Sequence, residues 1–164
     1  MNLFKTILRV RPQSFWALLK LCMPNILLLW PTYKATKDCM KLSTEHFGRK
    51  HYQNGRGNAF RHALWNVLIA KYCHPVAASL ERAVEWTKKI TDWHEEAFFG
   101  KTLPMLMDYH NNKVGRSLFQ GNSDWPQETF IEQLLQLTQE AVKVNQDSLL
   151  NQYQNQLIFI SDDH

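Results

Sequence analysis

Apolar positions in this chain recur at three- and four-residue intervals over most of its length. Residues 33–50 place Tyr33, Thr36, Met40 and Phe47 near helical spacing. Residues 58–73, 76–98 and 105–119 keep the same period. Residues 127–155 carry a further stripe through Phe130, Ile131, Leu134, Leu135, Leu137, Thr138, Ala141 and Val142. Breakers fall between these runs: Asn54-Gly55, Gly57-Asn58, Pro75, Gly100 and Gly121-Asn122-Ser123-Asp124. Pro104 suits the first turn of a helix, and Ser123 or Asp124 suits an N-cap. The tail QLIFISDDH reads as a short strand or a docked tail, and nothing else alternates with period two. The pattern predicts an all-α fold, a compact helical bundle of about five to seven helices. No repeat of 20–50 residues interrupts it.

The N-terminal pattern differs. From Phe15 to Trp30 the chain is apolar nearly all round, yet Pro12, Pro24, Pro31, Lys20 and Asn25 punctuate it. The prolines predict short broken helices, with no unbroken stretch of membrane-spanning length. No small-residue cleavage site follows. Two readings stay open: burial against the main body, or a basic, Trp-bearing surface resting on a membrane face.

Length sharpens the organisation. With 164 residues, 45% hydrophobic and 21% charged, the chain suits one globular domain. It divides into basic apolar N-terminal helices (1–53), a motif-bearing helical core (54–120), and an amphipathic C-terminal helix with an acidic tail (121–164). Residues 1–56 hold ten Lys/Arg against two Asp/Glu, whereas residues 117–164 hold one against seven. The basic end meets either the acidic end or an anionic surface. Cys22, Cys39 and Cys73 form no CxxC pair, which points to free thiols and a cytoplasmic location. Residues 1–32 add the option of peripheral contact with the inner membrane. Nucleic acid is not an expected partner: the tail is acidic and no recognition motif is present. NGRGN lacks the lysine of a phosphate loop.

The chemistry concentrates in three segments. On a helical wheel, GNAFRHALWN sets Asn58, Arg61, His62 and Asn66 on one face with Trp65 and Ile69. In AVEWTKKITDWHEEAF, His94 falls on the apolar stripe and Glu95 at its edge. In DYHNNKVGR, Asp108, Asn111, Asn112 and Arg116 repeat the spacing of the first segment, while His110 points the other way. Gly115 stands where the first segment has Trp65, so the wheel pairs a bulky ring with a gap. So many buried polar groups must satisfy one another or bind something, at a cost of roughly 1–3 kcal/mol for each left alone.

These segments carry a resemblance. NAFRHALWN, WHEE and MDYHNNKVGR resemble an uncharacterised bacterial family with the motifs RHA-x-W, a His-Glu pair and MD-x-x-NN-x-x-GR. The resemblance covers about residues 54–118. It implies a small helical domain, found alone in Bacteroidetes-type genomes and as a terminal module of toxin-like proteins. It brings no established activity. It marks Arg61, His62, Trp65, His94, Glu95, Asp108, Asn111, Asn112, Gly115 and Arg116.

Three functions follow from the residues. The first is a hydrolase with His62, His94, Glu95 and Asp108 as catalytic groups. There, His62, His94 and Asp108 hold one divalent metal, with Glu95 as an alternative ligand or as general base. Asn58, Arg61, Asn66, Asn111, Asn112 and Arg116 bind an anionic substrate, a phosphoester or lipid-derived molecule. A metal-free acid/base pair serves the same reaction. The second is a module that binds an anionic small molecule or lipid head group without chemistry. The third is a structural domain whose polar network only fixes the fold.

Overall fold

Thirteen of the eighteen residues of one central helix, Arg56–Cys73, are buried. A helix buried on all sides must have neighbours on all sides. The computed structural model describes residues 12–98, 103–145 and 152–161 and supplies those neighbours. In chain order the α-helices among them are α1 (Pro12–Cys22), α2 (Ile26–Phe47), α3 (Arg56–Cys73), α4 (Leu80–Phe98), α5 (Leu103–Gly121) and α6 (Gln127–Gln139). Helices α2, α4, α5 and α6 all pack on α3. Short 3-10 turns, Met23–Asn25, Lys50–Tyr52 and His74–Val76, join α1 to α2, α2 to α3 and α3 to α4. The all-α bundle expected from the periodicity is the architecture observed.

The closest approach is between α3 and α5. A Cβ built on Gly115 would lie 2.2 Å from the Ala63 carbonyl oxygen and 2.8 Å from the Ala63 Cα. The gap at Gly115 therefore receives the backbone of α3. The ring-and-gap pairing expected from the wheel is corrected here, because Trp65 points instead toward α2. Its Nε1 donates to Thr36 Oγ1 at 2.9 Å.

The N-terminal prolines break the chain less than expected. Pro24 falls in the 3-10 turn, but Pro31 lies inside α2. Pro31 is in the second turn, and the carbonyl it leaves without an intrahelical donor belongs to Leu27, on the exposed side. A helical run from Ser14 to Phe47 results, with a mean hydropathy of 1.3 in its most apolar stretch, of which 11% is buried. By length and composition it is long and apolar enough to cross a membrane, contrary to the expectation from the prolines. Its own buried stripe, Leu28, Ala35, Cys39 and Ser43, belongs to the bundle.

The C-terminal stripe also stops early. Helix α6 ends at Gln139, not at residue 155. Val142–Lys143 form strand β1, which pairs in parallel with β2, Ile158–Phe159. Val142 N donates to Leu157 O at 2.9 Å, and Val144 N to Phe159 O at 2.8 Å. The tail is thus both a strand and docked: Asn111 Nδ2 donates to Ile158 O and Asn111 Oδ1 accepts from Ile158 N, at 2.9 and 3.0 Å. Gly100, the expected stop between α4 and α5, lies outside the described residues. The helix expected from residue 76 begins at Leu80, after the 3-10 turn around Pro75.

The Gly115 contact makes a direct prediction. Gly115→Ala should lower unfolding stability by about 1–3 kcal/mol, the range for forced overpacking. Urea denaturation measures it, and a loss within about 0.5 kcal/mol would mean that α3 and α5 do not meet there.

Candidate functional site

Helices α3, α4 and α5 each bring one acid or base into a common buried volume. His62 comes from α3, Glu95 from α4 and Asp108 from α5. One ligand atom of each lies within 4.8 Å of the other two. His62 Nε2 is 3.3 Å from Asp108 Oδ1, and His62 Nδ1 is 3.6 Å from Glu95 Oε1.

A chain of amides holds this group. Arginine only donates, so the 2.8 Å contact from Arg61 Nη2 makes His62 Nε2 the acceptor. The proton therefore sits on Nδ1, which donates to Asn112 Oδ1 at 3.2 Å. That same oxygen accepts from Asn66 Nδ2 at 2.6 Å. Asn112 Nδ2 then donates to Glu95 Oε1 at 3.2 Å. Arg116 Nη1 donates to Asn66 Oδ1 at 2.7 Å and to Thr91 Oγ1 at 3.3 Å. Thr91 was not singled out by sequence. Its signal is spacing: Thr87, Thr91 and Glu95 are successive i+4 neighbours, and that oblique row faces the bundle.

This row also corrects the wheel for α4. His94 was placed inward and Glu95 at the edge. Instead the Glu95 side chain is 0% exposed and that of His94 is 38% exposed. The inward face follows the i+4 row, which has turned past His94 by the end of the helix. His94 still reaches the group, with Nδ1 at 3.4 Å from Glu95 Oε1. The cluster with metal-ligand geometry is His62, Glu95 and Asp108, with Glu95 in the position expected for His94.

The ten candidates divide by how well they are satisfied. Asn66, Asn112 and Arg116 spend polar atoms on one another and on Thr91. Asn111 is occupied by the backbone of β2 and lies apart from the cluster. Asn58 is buried, and its Oδ1 has no hydrogen-bond partner among the described residues. Glu95 Oε2 and Asp108 Oδ1 are likewise buried without a hydrogen-bond partner. Asp108 Oδ1 is 3.3 Å from His62 Nε2, but that nitrogen carries no proton in this tautomer and its lone pair already accepts from Arg61, so it offers Asp108 no donor.

The environment sets three ionisation states apart. Burial pushes His62 down to about 3, helped by the Arg61 guanidinium, so the imidazole is neutral at pH 7. Burial pushes Asp108 up to about 8, with the Glu95 charge adding and Arg61 opposing. Burial also pulls Glu95 upward, but the His94 hydrogen bond, the electrostatics of the two neighbouring histidine rings and the Asn112 amide outweigh it and hold it below its ordinary value. A neutral imidazole, an ionised carboxylate and a protonated carboxyl thus share one site.

A cavity of about 250 Å³ opens beside it. Arg61, His62 and His94 form its polar end. Thr36, Cys39 and Met40 of α2 line another wall, completed by Tyr52 and Trp65. The Trp65 ring meets His94 edge-on, with centroids 5.1 Å apart. His62 joins the two spaces, since it lines the cavity and touches both carboxylates.

The family model called Domain of unknown function (DUF6973) matches residues 19–142. The chain belongs to this family. The DUF6973 match runs from the end of α1 to the start of β1, so it takes in helices that lie outside the resemblance seen over residues 54–118. No curated protein and no solved structure matches the chain.

The ionisation pattern predicts a stability profile for the metal-free protein. Asp108 keeps a proton in the folded state between pH 3.8 and about 8, so its contribution is present at low pH and is lost as pH rises. His62 acts oppositely: its contribution is full above 6.5 and is lost as pH falls toward 3. Between pH 6.5 and 8 only the Asp108 loss operates. Urea midpoints in chelator should fall across that window by at most about 1.4 kcal/mol per pH unit. Asp108→Asn should flatten the fall, and equal slopes in both proteins would contradict the assignment.

Proposed function

We propose that this chain is a metal-dependent hydrolase of an anionic ester, resting on a membrane surface. The observation that carries the reading is a pair of buried acids, Glu95 and Asp108, both beside His62, each with one oxygen (Oε2 and Oδ1) that has no hydrogen-bond partner. Buried carboxylate oxygens without donors are costly unless a proton or a cation meets them, and a divalent ion would displace the proton that Asp108 holds. The donor set, one imidazole and two carboxylates, suits a catalytic zinc or a similar divalent ion. The Arg61 guanidinium beside His62 Nε2 already brings a positive charge to the same lone pair. A divalent ion at these ligands supplies Lewis acidity toward water and a substrate oxygen.

The chain's own residues do the rest in this reading. Asn112 fixes the orientation of His62 and Glu95 together, as outer partners of ligands do. Arg61 turns from His62 toward the anionic group of the substrate. His94, at the edge of the cavity, protonates the departing alkoxide as the bond to the ester centre breaks and water's oxygen adds there, and the proton that water releases returns to His94. The products are an acid and an alcohol. Asn66, Asn111 and Arg116, expected on the substrate, serve the scaffold instead.

A metal-free version also has support in the split carboxyls. Glu95 ionised and Asp108 protonated at neutral pH form an acid/base pair of the kind used in hydrolysis. Metal binding separates the two versions.

The membrane part rests on where apolar surface is exposed. Phe15, Trp16, Leu19, Met23, Ile26, Leu27, Trp30 and Tyr33 are the exposed large hydrophobics of α1, the 3-10 turn and α2. Ile26 and Trp30 are 70% and 71% exposed. Lys20, Lys34 and Lys37 accompany them, and aromatic rings with lysines are the composition of a membrane-surface helix.

Two outcomes test the proposal. Calorimetry with Zn²⁺ at pH 7.5 should show one site per chain, weakened at least 100-fold in Glu95→Gln and His62→Ala. Equal heats in the variants would remove the metal centre. Flotation on vesicles containing phosphatidylserine should carry the full chain, and Trp16→Ser with Trp30→Ser should leave it in solution; flotation of both would remove the membrane surface.

A further inference from the structure

The cavity beside His62 has two chemically different kinds of lining, and they point to a substrate class. Its polar lining is Arg61, His62 and His94. A second wall is α2, the helix whose first half carries the exposed apolar face. Tyr33, Thr36 and Met40 stand at i, i+3 and i+7, so they share one stripe of that helix. Thr36 and Met40 line the cavity, and Tyr33 is exposed above them, its ring 5.7 Å from that of Trp30. The stripe therefore leads from the apolar surface into the cavity over about 10 Å, seven residues at about 1.5 Å each.

We propose that the cavity takes a single alkyl chain ending in a phosphate ester, with the chain along Thr36 and Met40 and the head at Arg61. This rests on the reading of the site as a metal-dependent hydrolase, and it names that site's substrate class. The head group follows from charge: Arg61 is the permanently charged cation of the polar lining, and its fork matches the oxygens of a phosphate. The tail follows from the wall, where Cys39, Met40 and Trp65 offer apolar surface. One slender chain follows from size, since pockets for drug-sized ligands occupy roughly 300–1,000 Å³ and this one is about 250 Å³. A molecule of that form is held in a lipid surface, and the stripe from Tyr33 to Met40 is the route by which it enters.

The test is binding of dodecyl phosphate to the full chain below its micelle concentration, read by calorimetry. Inorganic phosphate and dodecyltrimethylammonium serve as probes of head and tail alone. Dodecyl phosphate should bind at least tenfold more tightly than either. Met40→Trp, which fills the wall from a half-buried position, should remove that gain while leaving Zn²⁺ binding unchanged. Cys39→Phe, checked for native helicity, fills the same space from the buried side and should act alike. If inorganic phosphate binds as tightly as dodecyl phosphate, or if both filling variants keep the gain, the alkyl subsite is wrong. If the cationic detergent binds equally, the head assignment is wrong. If Zn²⁺ fails to bind the wild-type protein, the metal-dependent reading falls, and this arm is separate from the other two.

Discussion

The contact between Gly115 and Ala63 is the constraint on which the site depends. Because Gly115 has no side chain, α5 comes against the backbone of α3. Only at that distance can the short amide of Asn112, one turn before Gly115, reach both His62 and Asn66. Arg116, next to Gly115, meets Asn66 for the same reason. Asp108 lies one further turn back and comes within 3.3 Å of His62. Any widening of this helix pair lengthens all of these distances together.

That closeness explains a division of labour among polar groups that look alike in the sequence. Asn66, Asn112, Thr91 and Arg116 form a connected network that rigidifies three helices. His62, Glu95 and Asp108 sit at its edge, and the two acids each keep one oxygen unspent. Satisfied polar groups fix a fold, and unsatisfied ones at one place invite a ligand. The site is thus a scaffold and a cluster able to hold a metal, built from the same two helical motifs, with α4 closing the third side.

Much of this was legible in the sequence, and the reasons for the rest are physical. The period of 3.6 revealed the bundle, and the polar stripe of GNAFRHALWN marked α3 as a wall of the site. The wheel failed at His94 and Glu95 because it takes a helix as a straight cylinder with one inward direction. Real contacts between crossed helices follow the i+4 row, so the inward residue shifts by one position over two turns. Asn111 fits the motif's spacing but is captured by β2, a partner forty-seven residues away that no local pattern reveals. Pro31 was read as a breaker, yet one lost hydrogen bond on an exposed side is tolerable in a helix anchored by Ala35, Cys39 and Ser43. The apolar run through Val142 continued the helical period on paper, but Val142 and Val144 found strand partners in the tail.

The central claim is that His62, Glu95 and Asp108 form one coordination sphere. X-ray absorption of the zinc-loaded protein addresses it directly. The account predicts a light-atom shell with one imidazole nitrogen at about 2.0–2.1 Å and carboxylate oxygens at about 2.0–2.2 Å. In Asp108→Asn the oxygen count should drop while the imidazole signal stays. A spectrum without imidazole scattering, or one with sulfur at about 2.3 Å from a cysteine, would place the metal elsewhere and contradict the account.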